Sequence, residues 1–122
     1  MKNRSKYFLM LLGLCLAFTF SGCVKVDTLP QLDIQVVDQN GTLISGASVA
    51  LFANQEEWSK RDNPVQVWRT TGADGHVTFI DLEELSYYVY VRYDGKDNSL
   101  DEVKTTEPLQ MNQRDQILVH IR

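Results

Sequence analysis

Apolar and polar residues alternate along most of the chain after position 31, and turn-forming residues recur roughly every 8–12 positions. Alternation at period two is typical of strands with one buried face, and short strands at this spacing are typical of an all-β sandwich or barrel. We predict strands at residues 32–37, 47–52, 65–70, 76–80, 87–93, 103–106 and 117–121. The predicted fold is an all-β, seven-strand, Greek-key-like antiparallel β-sandwich that fills residues 32–122.

The strand at residues 87–93 has the strongest alternating pattern. We expect its inner face to carry Tyr87, Val89, Val91 and Tyr93, and its outer face to carry Tyr88, Tyr90 and Arg92. Residues 54–64 interrupt the alternation with a polar stretch that contains Trp58. A single short helical turn within residues 54–62 fits this stretch.

The N-terminus has a different pattern. Three basic residues in the first six positions precede an apolar run of about 14 residues, which is the length of a signal-peptide core and too short to span a bilayer. The run ends in Phe20-Ser21-Gly22-Cys23, which resembles a lipobox, where a lipid-bearing Cys is exposed by signal peptidase II. We therefore expect residues 1–22 to be a cleaved signal peptide, Cys23 to be lipidated, and residues 23–31 to be the lipidated Cys and a mobile tether.

Cleavage changes both the cysteine count and the charge. Cys15 is lost with the signal, so Cys23 alone remains and no disulfide can form. The remaining 100 residues carry 9 basic and 16 acidic side chains, a net charge of −7, which excludes nucleic acid as a natural partner. Membrane attachment is expected through the lipid on Cys23. Because Val24 is not the Asp that marks inner-membrane retention in enteric bacteria, the expected location is the cell envelope at the outer membrane.

Two groups of residues resemble a known family. The first is Ile34-x-Val36-x-Asp38-x-Asn40-Gly41 with Ile44-Ser45-Gly46-Ala47-x-Val49-x-Leu51, and the second is Thr71, Asp74-Gly75, Val77-x-Phe79, Leu82, Tyr87 and Val89-x-Val91. Over residues 32–121 the chain resembles carboxypeptidase-regulatory-like and Cna-B-like domains, which are transthyretin-like (prealbumin-like) β-sandwiches. Together with the lipobox, it resembles small lipoproteins of Bacteroidetes-type envelopes. The resemblance implies a fold and leaves the function open, because this scaffold is widely reused.

Residue patterns that would support catalysis, a metal or a cofactor are missing from the sequence. His76 and His120 lie in no recognisable motif and read as solvated strand residues. Asp94, Asp97 and Asn98 offer fewer oxygen ligands than a dedicated calcium loop needs. The Lys–Asn isopeptide bond of Cna-B-like domains is not carried over, because the first strand has no Lys and the last has no Asn. We expect a protein that is not an enzyme, without cofactor or metal.

The aromatic residues leave two interpretations open. Trp58, Tyr88 and Tyr90, with Arg92 beside them, are candidate binding residues, since exposed rings next to polar groups are used at protein and carbohydrate interfaces. Alternatively, Trp58 folds back as a lid over one end of the sandwich, and the outer tyrosines are simply good strand formers. The favoured function is a lipid-anchored structural or protein-binding module of the envelope. The alternative is a glycan-binding accessory lipoprotein of a polysaccharide-uptake system.

Overall fold

The alternating pattern folds into two β-sheets that pack face to face. The computed structural model describes residues 26–122, and the predictions for residues 1–25, including Cys23, lie outside this range. The elements are β1 (Gln31–Val37), β2 (Ser48–Phe52), α1 (Gln55–Lys60), β3 (Arg69–Thr70), β4 (His76–Phe79), β5 (Tyr88–Tyr93), β6 (Lys96–Asp97), β7 (Val103–Lys104) and β8 (Arg114–His120). The predicted all-β sandwich is confirmed.

The strands divide unequally between the sheets. Sheet one has the order β4-β1-β8, and sheet two has the order β3-β2-β5-β6, with β7 also paired to β5. Strands β1 and β8 are parallel, with Ile34 beside Ile117 and Val36 beside Val119. The other strand pairs of residues 26–122 are antiparallel. A wholly antiparallel sheet is therefore not what forms, because the chain crosses from sheet two and enters β8 at the end where β1 also begins.

The core is formed by the inward side of each alternating strand. Its buried side chains come from both sheets and from two connecting segments: Leu32, Ile34, Val36, Ala47, Val49, Leu51, Phe79, Leu82, Tyr87, Val89, Val91, Leu109, Val119 and Ile121. Each large apolar side chain in such a cluster contributes about 1.5–3 kcal/mol of burial free energy, which offsets chain entropy. Tyr93 is an exception to the predicted inner face of β5, since 40% of it is exposed where the strand turns into β6.

Several strand boundaries differ from the predictions, and β8 begins at Arg114, three residues before its expected start. Only Arg69 and Thr70 of the strand expected at residues 65–70 pair regularly with β2, although the Val65 N–H still donates to the Leu51 carbonyl at 2.9 Å. The turn expected after Tyr93 contains a short strand, β6, so residues 26–122 hold eight strands. Pairs as short as these depend on neighbouring strands, which periodicity along the chain does not reveal.

The segment before β1 contacts the domain. The Thr28 N–H donates to Asn112 Oδ1 at 2.8 Å, and the Asn112 N–H donates to the Thr28 carbonyl at 2.8 Å. The Leu82 N–H donates to the carbonyl of Pro30, which is buried. Asn112 Nδ2 also donates to Asp27 Oδ1 at 3.3 Å, so the stretch expected to be a mobile tether is hydrogen-bonded to the domain from Asp27 onward. No helix within residues 26–122 is long and apolar enough to cross a membrane.

Candidate functional site

The first candidate site is the outer face of sheet two, where the aromatic residues lie. Helix α1 crosses this face and is capped by Asn54, whose Oδ1 accepts a hydrogen bond from the Glu57 N–H at 2.8 Å. It places Trp58 against Ala50, Phe52 and Tyr90. Trp58 is 7% exposed, and its Nε1 donates to the Val89 carbonyl at 2.8 Å. Trp58 therefore folds back as a lid, as in the second interpretation, but it covers the outer face of sheet two and not one end of the sandwich.

Tyr90 is also buried. Its side chain lies on the outer face of sheet two, as predicted, but other residues pack over it there. It is 4% exposed, and the Arg61 guanidinium carbon lies 4.3 Å from the centroid of its ring. Its hydroxyl donates to Asp97 Oδ2 at 2.8 Å. Burial raises the pKa of Tyr90, and the hydrogen bond to Asp97 acts in the same direction. The exposure expected for Trp58 and Tyr90 is wrong, because α1 and the segment after it fold over both rings.

The other two candidates, Tyr88 and Arg92, stay partly accessible. Tyr88 is half-buried, with its ring centroid 6.5 Å from that of Trp58. The Arg92 guanidinium carbon lies 4.5 Å from the ring centroid of Trp68, which in turn meets Tyr90 edge to face at 5.9 Å. Together with the packing of Trp58 on Tyr90, these contacts join the four candidates and Trp68 in one packed layer on the outer face of sheet two. Their role in binding stays a prediction.

The residues considered for catalysis or a metal do not come together. His76 and His120 are exposed on the outer face of sheet one. Across residues 26–122, no three His, Cys, Asp or Glu side chains are close enough to hold a metal ion. Asp97 accepts hydrogen bonds from Tyr90 and Ser99. Burial opposes its ionisation, but these hydrogen bonds and the charge of Arg61 outweigh burial and lower the pKa of Asp97.

Asn98, the third residue of that segment, has a structural role that the sequence did not suggest. It is fully buried, and its Oδ1 accepts from the Val91 N–H at 2.8 Å. Its Nδ2 donates to the Val89 carbonyl at 2.8 Å. Strand β6 pairs with one stretch of β5 and β7 with another. Between these two stretches, the Asn98 side-chain amide bonds β5 in the way that the backbone of a neighbouring strand would.

A polar cluster on the outer face of sheet one was also missed. Arg114 contacts the buried Asp33 carboxylate twice, with Nε–Oδ2 at 2.6 Å and Nη2–Oδ1 at 2.9 Å, and the Thr78 hydroxyl donates to the same carboxylate. Burial alone would raise the pKa of Asp33, but the hydrogen bonds from Arg114 and Thr78 outweigh it, so the pKa is lowered. The cluster joins β1, β4 and β8. Because Asp33 and Arg114 are 81 residues apart in the sequence, no local motif predicts their contact.

The two edges of sheet one differ in how they are protected. Along β4, the Gly72 N–H donates to the His76 carbonyl at 2.9 Å, and the His76 N–H donates to Asp74 Oδ1 at 3.2 Å. Gln66 Nε2 then donates to the Ile80 carbonyl at 2.8 Å. A turn and two side chains thus cap both ends of this edge, which is how natural sheets avoid unwanted pairing, while the central Thr78 N–H and C=O have no partner in residues 26–122.

The opposite edge, along β8, is open. The Gln113 carbonyl accepts from the Gln31 N–H and the Ile121 N–H donates to the Val37 carbonyl, so odd-numbered residues of β8 bond β1. Backbone groups alternate in direction along a strand, so those of the even-numbered residues point away from β1. These residues are Arg114, Gln116, Leu118 and His120, and we call their N–H and C=O groups the β8 edge. In the described part of the chain, no hydrogen bond reaches them.

A groove runs beside this edge. Its volume is 580 Å³, and it lies between residues 113–117 and residues 104–110, which lead from sheet two to β8. Beyond the groove, past the far end of β8, the chain rejoins sheet two, where the Arg122 N–H donates to the Asp97 carbonyl at 3.0 Å and the Asp97 N–H donates to the Arg122 carbonyl at 3.3 Å. We call this space the β8 groove. An unpaired strand edge beside an open groove is the geometry that accepts an added strand.

Comparison with known proteins adds a relationship of fold. No family model and no curated relative matches the sequence. The chain is similar to the TIE protein of Bacillus anthracis, at 18% identity and a TM-score of 0.53 over 80% of this chain and 17% of that one. It also matches the pilus 2b backbone protein of group B streptococcus (21% identity, TM-score 0.48, 75% and 40% covered) and catechol 1,2-dioxygenase from Pseudomonas arvilla C-1 (16%, 0.38, 68% and 36%). The first likeness shows a shared β-sandwich fold, and the chain spans less than half the length of each protein.

Proposed function

We propose that this chain is a lipid-anchored module of the cell envelope that binds an extended segment of a protein partner along the β8 edge. The observation that carries the proposal is the contrast between the two edges of sheet one. The β4 edge is capped at both ends by Gly72, Asp74 and Gln66, whereas the N–H and C=O groups of four residues along the whole of β8 are left without partners in residues 26–122. Strand addition supplies main-chain hydrogen bonds to such an edge.

The anchor would bring this edge close to the membrane. Asp27 lies four positions after Cys23, so the chain between them spans at most about 14 Å. The hydrogen bonds of Thr28 to Asn112 fix the start of β1, and parallel pairing places Arg114 beside Gln31 at the same end of the sheet. A lipid on Cys23 would therefore hold the β8 groove near the bilayer surface, where partners that are themselves anchored concentrate.

The anchor is tested by Cys23→Ala. We expect this variant to remain unprocessed by signal peptidase II, to incorporate no radiolabelled palmitate, and to leave the outer-membrane fraction. Cys15→Ala is the matched control, because Cys15 lies inside the expected signal and should leave all three readouts unchanged. Palmitate on the Cys23→Ala variant would show that the lipobox prediction is wrong.

The edge is tested by photo-cross-linking in intact cells. A photoreactive residue replaces Leu118, which lies on β8 and is 50% exposed, or Val67, which is 76% exposed on the far side of the sandwich. We expect a cross-linked product from position 118 that disappears with Gln116→Pro, and none from position 67. Gln116→Pro removes an edge N–H without breaking the pairing with β1, and proline is tolerated where that N–H faces solvent.

Two results would contradict the proposal. One is equal cross-linking from positions 67 and 118. The other is a product from position 118 that persists at full yield with Gln116→Pro while circular dichroism shows that this variant is folded.

The glycan alternative rests on a different surface. Tyr93 is the aromatic residue of β5 that the structure leaves most accessible, and it lines a 380 Å³ cleft with Ser48, Arg92, Lys96 and Asp97. A ring beside polar groups is suited to a sugar. Binding on a glycan array that is lost with Tyr93→Ala and kept with Gln116→Pro would support this function over strand addition. That the protein is not an enzyme stays a prediction.

A further inference from the structure

The charges in the β8 groove indicate which kind of strand the β8 edge accepts. Resting on the proposed function, we propose that the added strand carries lysine or arginine side chains toward the β8 groove and aliphatic side chains on its opposite face. Neighbouring side chains of a strand point to opposite sides of the sheet. The strand would thus present one set of side chains to the groove and the other to the outer face of sheet one.

The groove has two carboxylates that are not neutralised within the described residues. Glu107 and Asp115 line it, and neither forms an ion pair in residues 26–122. Asp115 lies on the inward side of β8, two positions before Ile117, and so faces the groove. A cationic side chain entering the groove meets both carboxylates.

Two basic residues, Lys104 and Arg114, also line the groove, but they do not compensate for these charges. Lys104 Nζ lies 3.6 Å from Glu102 Oε1, and Arg114 Nε lies 2.6 Å from Asp33 Oδ2. Each cation is already matched by a carboxylate outside the groove lining. The effective charge of the groove is therefore negative, which complements a basic partner and repels an acidic one.

On the outer face of sheet one, the added strand needs a different kind of side chain. Leu118 is exposed there, beside a 250 Å³ hollow lined by Gln35, His76 and Gln116. An aliphatic side chain from the added strand would cover Leu118 and remove its apolar surface from water. The expected partner segment is thus a short amphipathic strand, basic on one side and aliphatic on the other.

A second copy of this chain fits the groove poorly. Pairing β8 with β8 of another molecule would bring two Glu107 and two Asp115 carboxylates toward one interface, in chains that each carry a net charge of −7 once residues 1–22 are removed. Like charges brought together at an interface oppose association. The favoured occupant is therefore a different protein.

The test uses two fluorescein-labelled nonapeptides and the protein purified from membranes in detergent. In one peptide lysine alternates with valine, and in the other glutamate replaces each lysine. Fluorescence anisotropy gives the affinities, and hydrogen exchange reports protection of the Arg114, Gln116, Leu118 and His120 amides. We expect the lysine peptide to bind roughly tenfold or more tightly than the glutamate peptide and to protect these amides.

Two variants assign the preference to the groove. Glu107→Gln with Asp115→Asn should abolish the preference for lysine. Glu83→Gln with Glu84→Gln, an acidic pair on the loop between β4 and β5, should leave it unchanged. Gln116→Pro should weaken both peptides. Equal affinity of the two peptides with β8 protected would overturn the basic-strand inference and leave the proposed function standing.

Two further outcomes would overturn the inference, and one of them bears on the proposed function as well. Failure of both peptides to protect β8 at millimolar concentration overturns the inference, and if cross-linking from position 118 is also absent, the proposed function fails with it. Concentration-dependent dimerisation in analytical ultracentrifugation that Gln116→Pro abolishes would identify a second copy as the occupant and overturn the inference.

Discussion

Trp58 and Asn98 satisfy backbone groups of β5 that would otherwise be buried without partners. Both donate to the Val89 carbonyl at 2.8 Å, and Asn98 also accepts from the Val91 N–H. A buried polar backbone group without a partner costs free energy comparable to a lost hydrogen bond. At the residue scale, stability of this sandwich depends on a few side chains that complete its hydrogen bonding as well as its packing.

Trp58→Ala should lower the free energy of unfolding by about 3–5 kcal/mol, because it removes the largest side chain over the outer face of sheet two and its bond to Val89. Urea denaturation followed by circular dichroism measures the loss. Tyr93→Ala is the control, since Tyr93 is an aromatic residue that is much more exposed. A Trp58→Ala variant as stable as the parent would exclude the lid role.

Asn98→Leu should lower the free energy of unfolding by about 1–3 kcal/mol, because it leaves the buried Val91 N–H without an acceptor. Gln110→Leu, at an exposed position on the crossing segment, should change stability little. Native-state hydrogen exchange should also show faster exchange of the Val91 amide in the Asn98→Leu variant. Unchanged exchange there would show that Asn98 does not serve as its partner.

At the scale of elements, helix α1 depends on its surroundings. Its six residues are too few to be helical on their own, and it forms because Trp58 packs on sheet two and Asn54 caps its first turn. Strand β8 is stabilised on one side by β1, and on the other side it has no hydrogen-bonding partner within residues 26–122 until Arg122 meets Asp97. Both elements exist through tertiary contacts, and in β8 these contacts leave one edge available.

Asn54→Ala should destabilise the protein by about 1 kcal/mol, because the Glu57 N–H loses the side-chain oxygen that accepts its hydrogen bond. Asn54→Asp retains an acceptor at the same position and should keep most of the stability. Thermal unfolding of the three proteins at the same pH and salt concentration measures the difference. If the Ala and Asp variants unfolded at the same temperature, the cap would contribute nothing.

At the scale of the whole molecule, the Asp33 cluster links the three strands of sheet one through one carboxylate. Asp33 lies on β1, Thr78 on β4 and Arg114 on β8. Since the pKa of Asp33 is lower in the folded protein than the usual value of about 3.9, ionised Asp33 stabilises the fold at neutral pH. That contribution decreases as pH falls below about 4, through the folded-state pKa, because protonation weakens the contacts with Arg114.

Asp33→Asn should therefore destabilise the protein at pH 7 and cost progressively less as the pH is lowered from about 4 toward 2. Urea denaturation of parent and variant across this range gives the difference in unfolding free energy at each pH. Asp62→Asn, an exposed carboxylate on the loop after α1, provides the comparison. A difference between parent and Asp33→Asn that stayed constant with pH would show that the Asp33 carboxylate does not carry the stabilisation.

Much of the fold could be predicted from the sequence, because period-two alternation states which side chains of a strand are buried. The inward positions of β1, β2 and β8 follow it, as do Tyr87, Val89 and Val91. The same pattern does not indicate which strands pair with each other, since a strand buries the same face whichever strand lies along its edges. Parallel pairing of β1 with β8 and the burial of Tyr90 under α1 were therefore decided by tertiary structure.

The candidate site shows even more clearly which features the sequence predicts and which the tertiary structure decides. The aromatic residues stood out in the sequence as surplus apolar surface, but only the fold shows that the outer face of sheet two buries Trp58 and Tyr90. The β8 edge has no signal in the sequence, because an unpaired N–H is a property of what lies beside a strand and not of the strand's residues. Which side chains of a strand are buried is encoded locally, in the alternation of apolar and polar residues. Which strands pair, which strand edge is capped, and the contact of Asp33 with Arg114 across 81 residues all depend on distant segments that meet only in the folded chain.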